Sequence, residues 1–171
     1  FASAFAAFGS EVTVIEFMKE CLPPVDSDIA KRLRKTLEKR GVTFYMQSAV
    51  RQIITSSGNE QNATTVVFDR KGKEQTVETD LVLIATGRQP NVENIGLESA
   101  GIEFNPRGIT VDDNMETNVK GVYAIGDVNA RQMLAHAATF QGFRAVNHIL
   151  GRKDFIRFDI MPAAIFTYPE A

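Results

Sequence analysis

This chain has little of what metal and thiol chemistry needs. Its 171 residues hold one cysteine, Cys21, and two histidines, His136 and His148. A lone cysteine excludes an intrachain disulfide. Two histidines without metal-ligand spacing give no reason to expect a metal site. No apolar run approaches the roughly 20 residues of a membrane span. Charge of one sign is also lacking: the formal net charge is −2, so neither nucleic acid nor an anionic membrane surface is implied as a partner. The opening FASAFAAFG at 1–9 has no basic segment before it and does not read as a signal peptide. A cytoplasmic protein is the expectation. Tryptophan is absent, which excludes nothing. Hydrophobic residues make up 44% and charged residues 23%, ordinary values for a globular protein. The length allows one or two domains.

The most informative stretch present is GVYAIGDV at 121–128. It reads as an apolar strand buried on both faces, ending in a glycine and then an aspartate. The carboxyl ends of strands are where open α/β sheets hold ligands. Gly126 permits close approach of a backbone or ligand. Asp127 places an acceptor-only carboxylate at the tip, suited to a hydroxyl. A second tip of this kind is LVLIATGR at 81–88. Two such tips predict two ligand crevices.

Residues 1–8 read as the end of a helix stopped by Gly9. EVTVIE at 11–16 is a β-branched strand. Asp26, Ser27 and Asp28 offer N-caps for a helix reaching about Arg40, with Ile29, Leu33 and Leu37 as its apolar stripe. Lysines and arginines cover its other face as a solvated surface, and Gly41 ends it. Residues 42–50 are predicted as the next strand. Helix, strand, helix, strand in succession argues for a parallel sheet with crossover connections. The runs 52–55, 64–69 and 74–79, separated by Ser56-Ser57-Gly58-Asn59 and Lys71-Gly72-Lys73, predict an antiparallel meander. Residues 81–85 return to the pattern of a central strand. Residues 89–118 read as loop, with a short strand at 109–111. A helix is predicted from about Met133 to Leu150, stopped by Gly151, with Gly142 marking close packing inside it. A new element is expected after Asp154.

Five phrases then point to one family: VTVIE at 12–16, ATGRQPN at 85–91, NIGLESAGIEFNPRGITVD at 94–112, GVYAIGDV at 121–128 and MLAH at 133–136. Over its full length the chain resembles the flavoprotein pyridine nucleotide–disulfide oxidoreductases, most closely their dihydrolipoamide dehydrogenase branch. The resemblance implies an α/β fold in three pieces. Residues 1–90 look like a Rossmann-like NAD-binding domain, a parallel sheet plus meander, without its first strand and glycine-rich loop. Residues 91–158 look like the returning half of an FAD-binding domain. Residues 159–171 look like the first strand of a dimer-interface domain. The chain is therefore expected to be a piece of a longer enzyme. The family's redox disulfide and its His–Glu pair would lie outside it, and no residue here is assigned a catalytic role.

Resemblance also assigns cofactor contacts. Glu16, at the second strand tip, would accept the adenosine ribose hydroxyls of NAD and repel a 2′-phosphate. Val50 would lie along the adenine. Gly87 would bring its backbone against NAD, while Arg88 would either fix its loop or face the nicotinamide half. Gly126 and Asp127 would meet the ribityl chain of FAD. Met133, Leu134, Ala135 and His136 would run beside the flavin at a helix start, with His136 making backbone contact and packing. His148 and Cys21 are read as structural and incidental. The implied reaction of the parent is re-oxidation of dihydrolipoyl groups through FAD to NAD. Its implied partners are the lipoyl domain of a 2-oxo acid dehydrogenase or glycine cleavage complex and a second subunit of a homodimer. Two alternatives stand beside it. One is another disulfide reductase of the glutathione or mercuric reductase type. The other is a folded module that binds no nucleotide.

Overall fold

A computed structural model describes residues 1–55 and 64–170. The chain divides into two compact units, Phe1–Ile84 with Ala164–Ala171, and Ala85–Ala163.

The first unit opens with helix α1 (Ala2–Ala7), strand β1 (Thr13–Glu16), helix α2 (Ser27–Glu38) and strand β2 (Thr43–Met46). β1 and β2 pair in parallel, Thr13 opposite Thr43 through Glu16 opposite Met46. With α2 as the crossover they form the predicted β–α–β unit. The core explains why α2 sits there. Leu33, Leu37 and Val42 are buried, and Ala6, Val12, Val14, Leu22 and Phe44 pack on them. Burying each of the two leucines stabilises by about 1.5–3 kcal/mol relative to exposure. The inner stripe of α2 is Ala30, Leu33 and Leu37, whereas Ile29, predicted to be on it, is exposed. A strict spacing of four drifts around a helix of 3.6 residues per turn, and the three-then-four spacing stays on one face. The lysines of α2 lie on its exposed side. Arg34 instead donates to Glu20 at 2.7 Å and Glu38 at 2.6 Å.

The predicted strand over 42–50 is two strands. Gln47 takes a left-handed φ of +54°, which breaks the run between β2 and β3 (Ser48–Thr55). β3, β4 (Thr64–Arg70) and β5 (Lys73–Thr79) form the predicted antiparallel meander in that order. Its β4–β5 turn is Lys71-Gly72, both at positive φ, the type I′ geometry that matches strand twist. The other predicted turn, Ser56-Ser57-Gly58-Asn59, lies outside the described residues. Thr64, Val66 and Phe68 of β4 alternate inward, and the Phe68 ring sits 5.0 Å from that of Tyr45 on β2.

Residues 81–84 form no strand. Leu81, Leu83 and Ile84 are exposed, and no described strand pairs with them. Apolar composition signals burial, but a strand exists only where a neighbour supplies the ladder.

In the second unit, residues 89–118 are less irregular than predicted. Strands β6 (Phe104–Asn105) and β7 (Gly108–Ile109) make a hairpin, so the strand expected at 109–111 starts one residue early and ends sooner. Its core is Val92, Leu97, Ile109 and Ala124, with Ile102, Phe104, Val111 and Val128 against it. Helix α3 spans Ala135–Ile149, slightly shorter than predicted. Beyond it, residues 161–170 hold no strand; a short 3-10 turn, Phe158–Ile160, precedes them. Among the described residues, helices α1, α2 and α3 stop in the same way. A left-handed glycine, Gly9, Gly41 or Gly151, lets the following amide reach back to the helix, as Arg152 N–H does to Asn147 O at 2.8 Å.

The stretch 121–128 also departs from expectation. It is not a strand buried on both faces. Tyr123 makes an isolated antiparallel bridge with Glu116. Ala124 N–H bonds to Met115 O at 3.0 Å, and Thr117 N–H to Val122 O at 2.8 Å. Ile125 stays 44% exposed. Then Gly126–Asn129 closes into a 3-10 turn. The stretch finds a neighbour on one side only, so the ladder stops after a few bonds.

Candidate functional site

The site residues fall into two groups, one in each unit. In the first unit, Glu16 is the last residue of β1, as predicted. Its Oε1 accepts the Met18 N–H at 2.7 Å. The other oxygen has no partner among the described residues, so the carboxylate can take a further donor. Val50 is not at the end of a parallel strand. It lies within β3 opposite Phe68, beside a bulge, and is half exposed. The left-handed Gln47 moves it there, because it ends the parallel strand before Val50 is reached.

Nearby, Cys21 is half-buried. Burial, with the Glu20 carboxylate beside it, pushes its thiol up to about 11. The Arg34 guanidinium hydrogen-bonded to Glu20 holds that carboxyl below its ordinary value.

The second unit gathers the other residues around the start of α3. Gly126 adopts a φ of +78°, and a Cβ there would stand 3.4 Å from the Ala138 side chain. The left-handed φ, more than the space, is what calls for glycine here. Asp127 sits in the first turn of the 3-10 segment and not at a strand end, because the glycine turns the chain before a strand tip can form. Its Oδ2 lies 2.8 Å from Arg88 Nη2. Its Oδ1 has no partner among the described residues. Gly87 takes a φ of +108° with open space where a Cβ would stand, leaving its backbone accessible.

Met133 and Leu134 are half-buried just before α3; Ala135 and His136 are exposed in its first turn. No side chain caps this helix. Its first described bond runs from Ala138 N–H to Leu134 O at 3.0 Å, so the amides of Ala135, His136 and Ala137 have no intrahelical acceptor. Uncapped amides and the helix dipole favour a negative group there. His136 Nε2 meets Pro162 O at 2.7 Å, a contact to backbone. His148 meets the Tyr123 hydroxyl at 3.0 Å. Gly142 is not tightly packed: a Cβ there would meet Ile125 at an ordinary 3.5 Å.

The sequence reading missed the residues that hold this turn. Gln141, wholly buried on α3, accepts Gly126 N–H at 2.7 Å and the Asn129 amide at 2.9 Å. Asn129 also donates to Ala124 O at 2.9 Å. The available signal was the row Ala137, Gln141, Ala145, all buried at four-residue spacing, with one polar member. Arg144 was missed as well. Its Nε–H is shared between both oxygens of Asp154 at 2.9 and 3.0 Å, and its terminal nitrogens donate to Ile156 O and Asp113 O, tying the segment after α3 to the helix.

The donor chemistry fits both nucleotides in kind. Asp127 offers an open acceptor oxygen, which suits a polyol, and the uncapped amides at the start of α3 suit a negatively charged group. Glu16 offers an acceptor at a strand end, which suits a ribose diol. Among the described residues no helix is long and apolar enough to cross a membrane.

Known proteins resemble this chain along nearly its whole length. The family model described as "Pyridine nucleotide-disulphide oxidoreductase" matches residues 1–142. The chain is 38% identical over 170 residues to the dihydrolipoyl dehydrogenase of Cupriavidus necator, covering 98% of this chain and 35% of that protein. It is 37% identical over 169 residues to a leghemoglobin reductase of Glycine max, covering 98% of this chain and 32% of that protein. The solved structure of LpdA from Mycobacterium tuberculosis superposes with a TM-score of 0.86 at 31% identity, covering 99% of this chain and 36% of that one. The chain thus spans about a third of the length of the relatives it matches. With the family model covering most of its residues, the chain belongs to the pyridine nucleotide-disulphide oxidoreductase family.

Proposed function

We propose that this chain is a segment of an FAD-dependent dihydrolipoyl dehydrogenase, supplying part of the NAD site and the part of the FAD site that receives the ribityl chain. Residues 1–90 would serve NAD, 91–158 would complete the flavin domain, and 159–171 would lead into a dimer interface. The observation that carries the reading is the Gly126–Asp127 turn, docked onto α3 through Gln141, with one carboxylate oxygen open.

FAD, when bound, supplies the two-electron chemistry between a dithiol and NAD. The chain's own residues bind and orient. Asp127 accepts a polyol hydroxyl. The amides of Ala135, His136 and Ala137 would favour negative charge on a flavin held at the helix start. His136 stays in contact with backbone and moves no proton. Glu16 accepts ribose hydroxyls and repels a 2′-phosphate, which selects NAD. A single cysteine cannot form a redox disulfide, so the dithiol exchange belongs to residues outside this segment, and the segment alone is inactive. The partners are a lipoyl domain of a 2-oxo acid dehydrogenase or glycine cleavage complex and a second subunit, in a cytoplasmic setting.

The test is turnover of dihydrolipoamide with NAD by the full-length flavoprotein that contains this segment. Faster turnover of another disulfide or haem-protein substrate would move it to a different branch, which the similarity to a leghemoglobin reductase keeps open. Leu81, Leu83 and Ile84, exposed and unpaired among the described residues, favour a second reading for the segment by itself, a folded module without nucleotide. Visible flavin absorbance at one equivalent in the purified segment would exclude that.

A further inference from the structure

We infer that Arg88 acts through Asp127: it is a positioning residue for the carboxylate that meets the flavin polyol, and it makes no contact with NAD. This rests on the flavin reading above. The backbone around Asp127 is fixed without Arg88. Gly126 N–H is taken by Gln141, the Asn129 amide by Ala124 O and Gln141, and Asp127 O accepts Ala130 N–H. The side chain is held differently. Among the described residues its single polar contact is the ion pair from Arg88 Nη2 to Oδ2 at 2.8 Å. That pairing leaves Oδ1 as the free acceptor and sets its direction.

The loop side agrees. Among the described residues, no other hydrogen bond or ion pair reaches residues 85–91. The guanidinium is therefore spent on Asp127 and not on shaping its own loop. The Arg88 side chain is 75% exposed, and an ion pair so exposed contributes little to folding. Its effect belongs in ligand affinity.

The test uses the full-length flavoprotein containing this segment, with variants Arg88→Met, Arg88→Lys, Asp127→Asn and the double Arg88→Met/Asp127→Asn. Two quantities are read: the FAD dissociation constant of the apoprotein, by flavin fluorescence, and KM for NAD. R88M should weaken FAD about threefold to fivefold, the scale of an exposed ion pair, with KM for NAD unchanged. R88K should recover much of that loss. The double variant should bind FAD no more weakly than D127N alone. A raised KM for NAD with unchanged FAD affinity overturns the inference, and so do additive losses in the double variant. If D127N weakens FAD and R88M does not, the inference alone falls. If D127N leaves FAD affinity unchanged, the flavin role of Asp127 falls as well.

Discussion

Gln141 and Gly126 are joined by a buried hydrogen bond of 2.7 Å, from the glycine amide to the side-chain carbonyl. This bond docks the turn that carries Asp127 onto the middle of α3. The same oxygen takes the Asn129 amide, while Gln141 Nε2 is buried without a partner.

Replacing Gln141 with leucine leaves the buried Gly126 N–H without an acceptor and the Asn129 amide with only Ala124 O, and an unsatisfied buried donor costs about 1–3 kcal/mol. Gln141→Leu should lower the unfolding free energy by at least that amount in urea titration. Gln141→Glu keeps the acceptor but buries an unpaired carboxyl, so its loss should shrink as the pH falls and the carboxyl is protonated, whereas the loss in Gln141→Leu should not. Equal, pH-independent losses in both variants would show that side-chain volume, and not the acceptor, matters at this position.

Gly108 in β7 carries a φ of +123°, and a Cβ on it would stand 2.7 Å from Val128 O and 3.0 Å from the Asn129 carbonyl carbon. Neither obstacle is a flexible side chain. Gly108→Ala should destabilise by more than the ~1–3 kcal/mol of backbone strain alone, measured by chemical unfolding. A neutral result would mean that the hairpin does not pack against the Asp127 turn in solution.

Glu16→Arg in the full-length flavoprotein should move the ratio of NAD to NADP efficiencies toward NADP by about tenfold or more, because a guanidinium attracts the 2′-phosphate that the carboxylate repels. Steady-state kinetics with both cofactors measures it. An unchanged ratio removes Glu16 from the nucleotide site.

Asp154 should make the fold acid-sensitive. Burial raises its carboxyl, but the Ile156 amide, Arg144 and Asn147 outweigh this and hold it below the ordinary 3.8. A folded value below the unfolded one means the stabilisation is complete above the unfolded value and is lost as pH falls through the folded one. Urea unfolding from neutral pH to below 3.8 should show Asp154→Asn less stable than the parent at neutral pH, with the difference narrowing at the acid end. A constant difference across that range would exclude this titration as the cause.

Cys21 should be a slow thiol. With its value near 11 against the ordinary 9.0, its thiolate fraction at mildly alkaline pH is about a hundredfold below that of an unperturbed cysteine, and alkylation should slow in proportion. Labelling with iodoacetamide in the folded and urea-unfolded states checks this. Equal rates would mean that the thiol is not shielded.

Much of the first unit, and the helix ends of both, were legible because their signals are local. Leu33 and Leu37 mark the inner face of α2 by spacing. Lys71-Gly72 marks a tight turn because glycine accepts positive φ. Gly9, Gly41 and Gly151 mark helix ends for the same reason. Of the site, the identity of Glu16, Asp127 and the start of α3 was readable from motifs, but their surroundings were not. The pairing of Arg88 with Asp127 joins positions that resemblance had assigned to different nucleotides. Gln141 was hidden because nothing in a helical row says which buried member meets a turn.

The sequence by itself determined the α/β class, the β–α–β unit, the meander and the family, since these follow from periodicity, turn residues and short motifs. Tertiary structure alone decided whether the apolar stretches 81–85 and 121–128 became strands, where Val50 fell, and which partner Asp127 took. A strand and an ion pair are both made by residues distant in the chain, and their energy depends on what stands opposite them, which no local run of residues encodes.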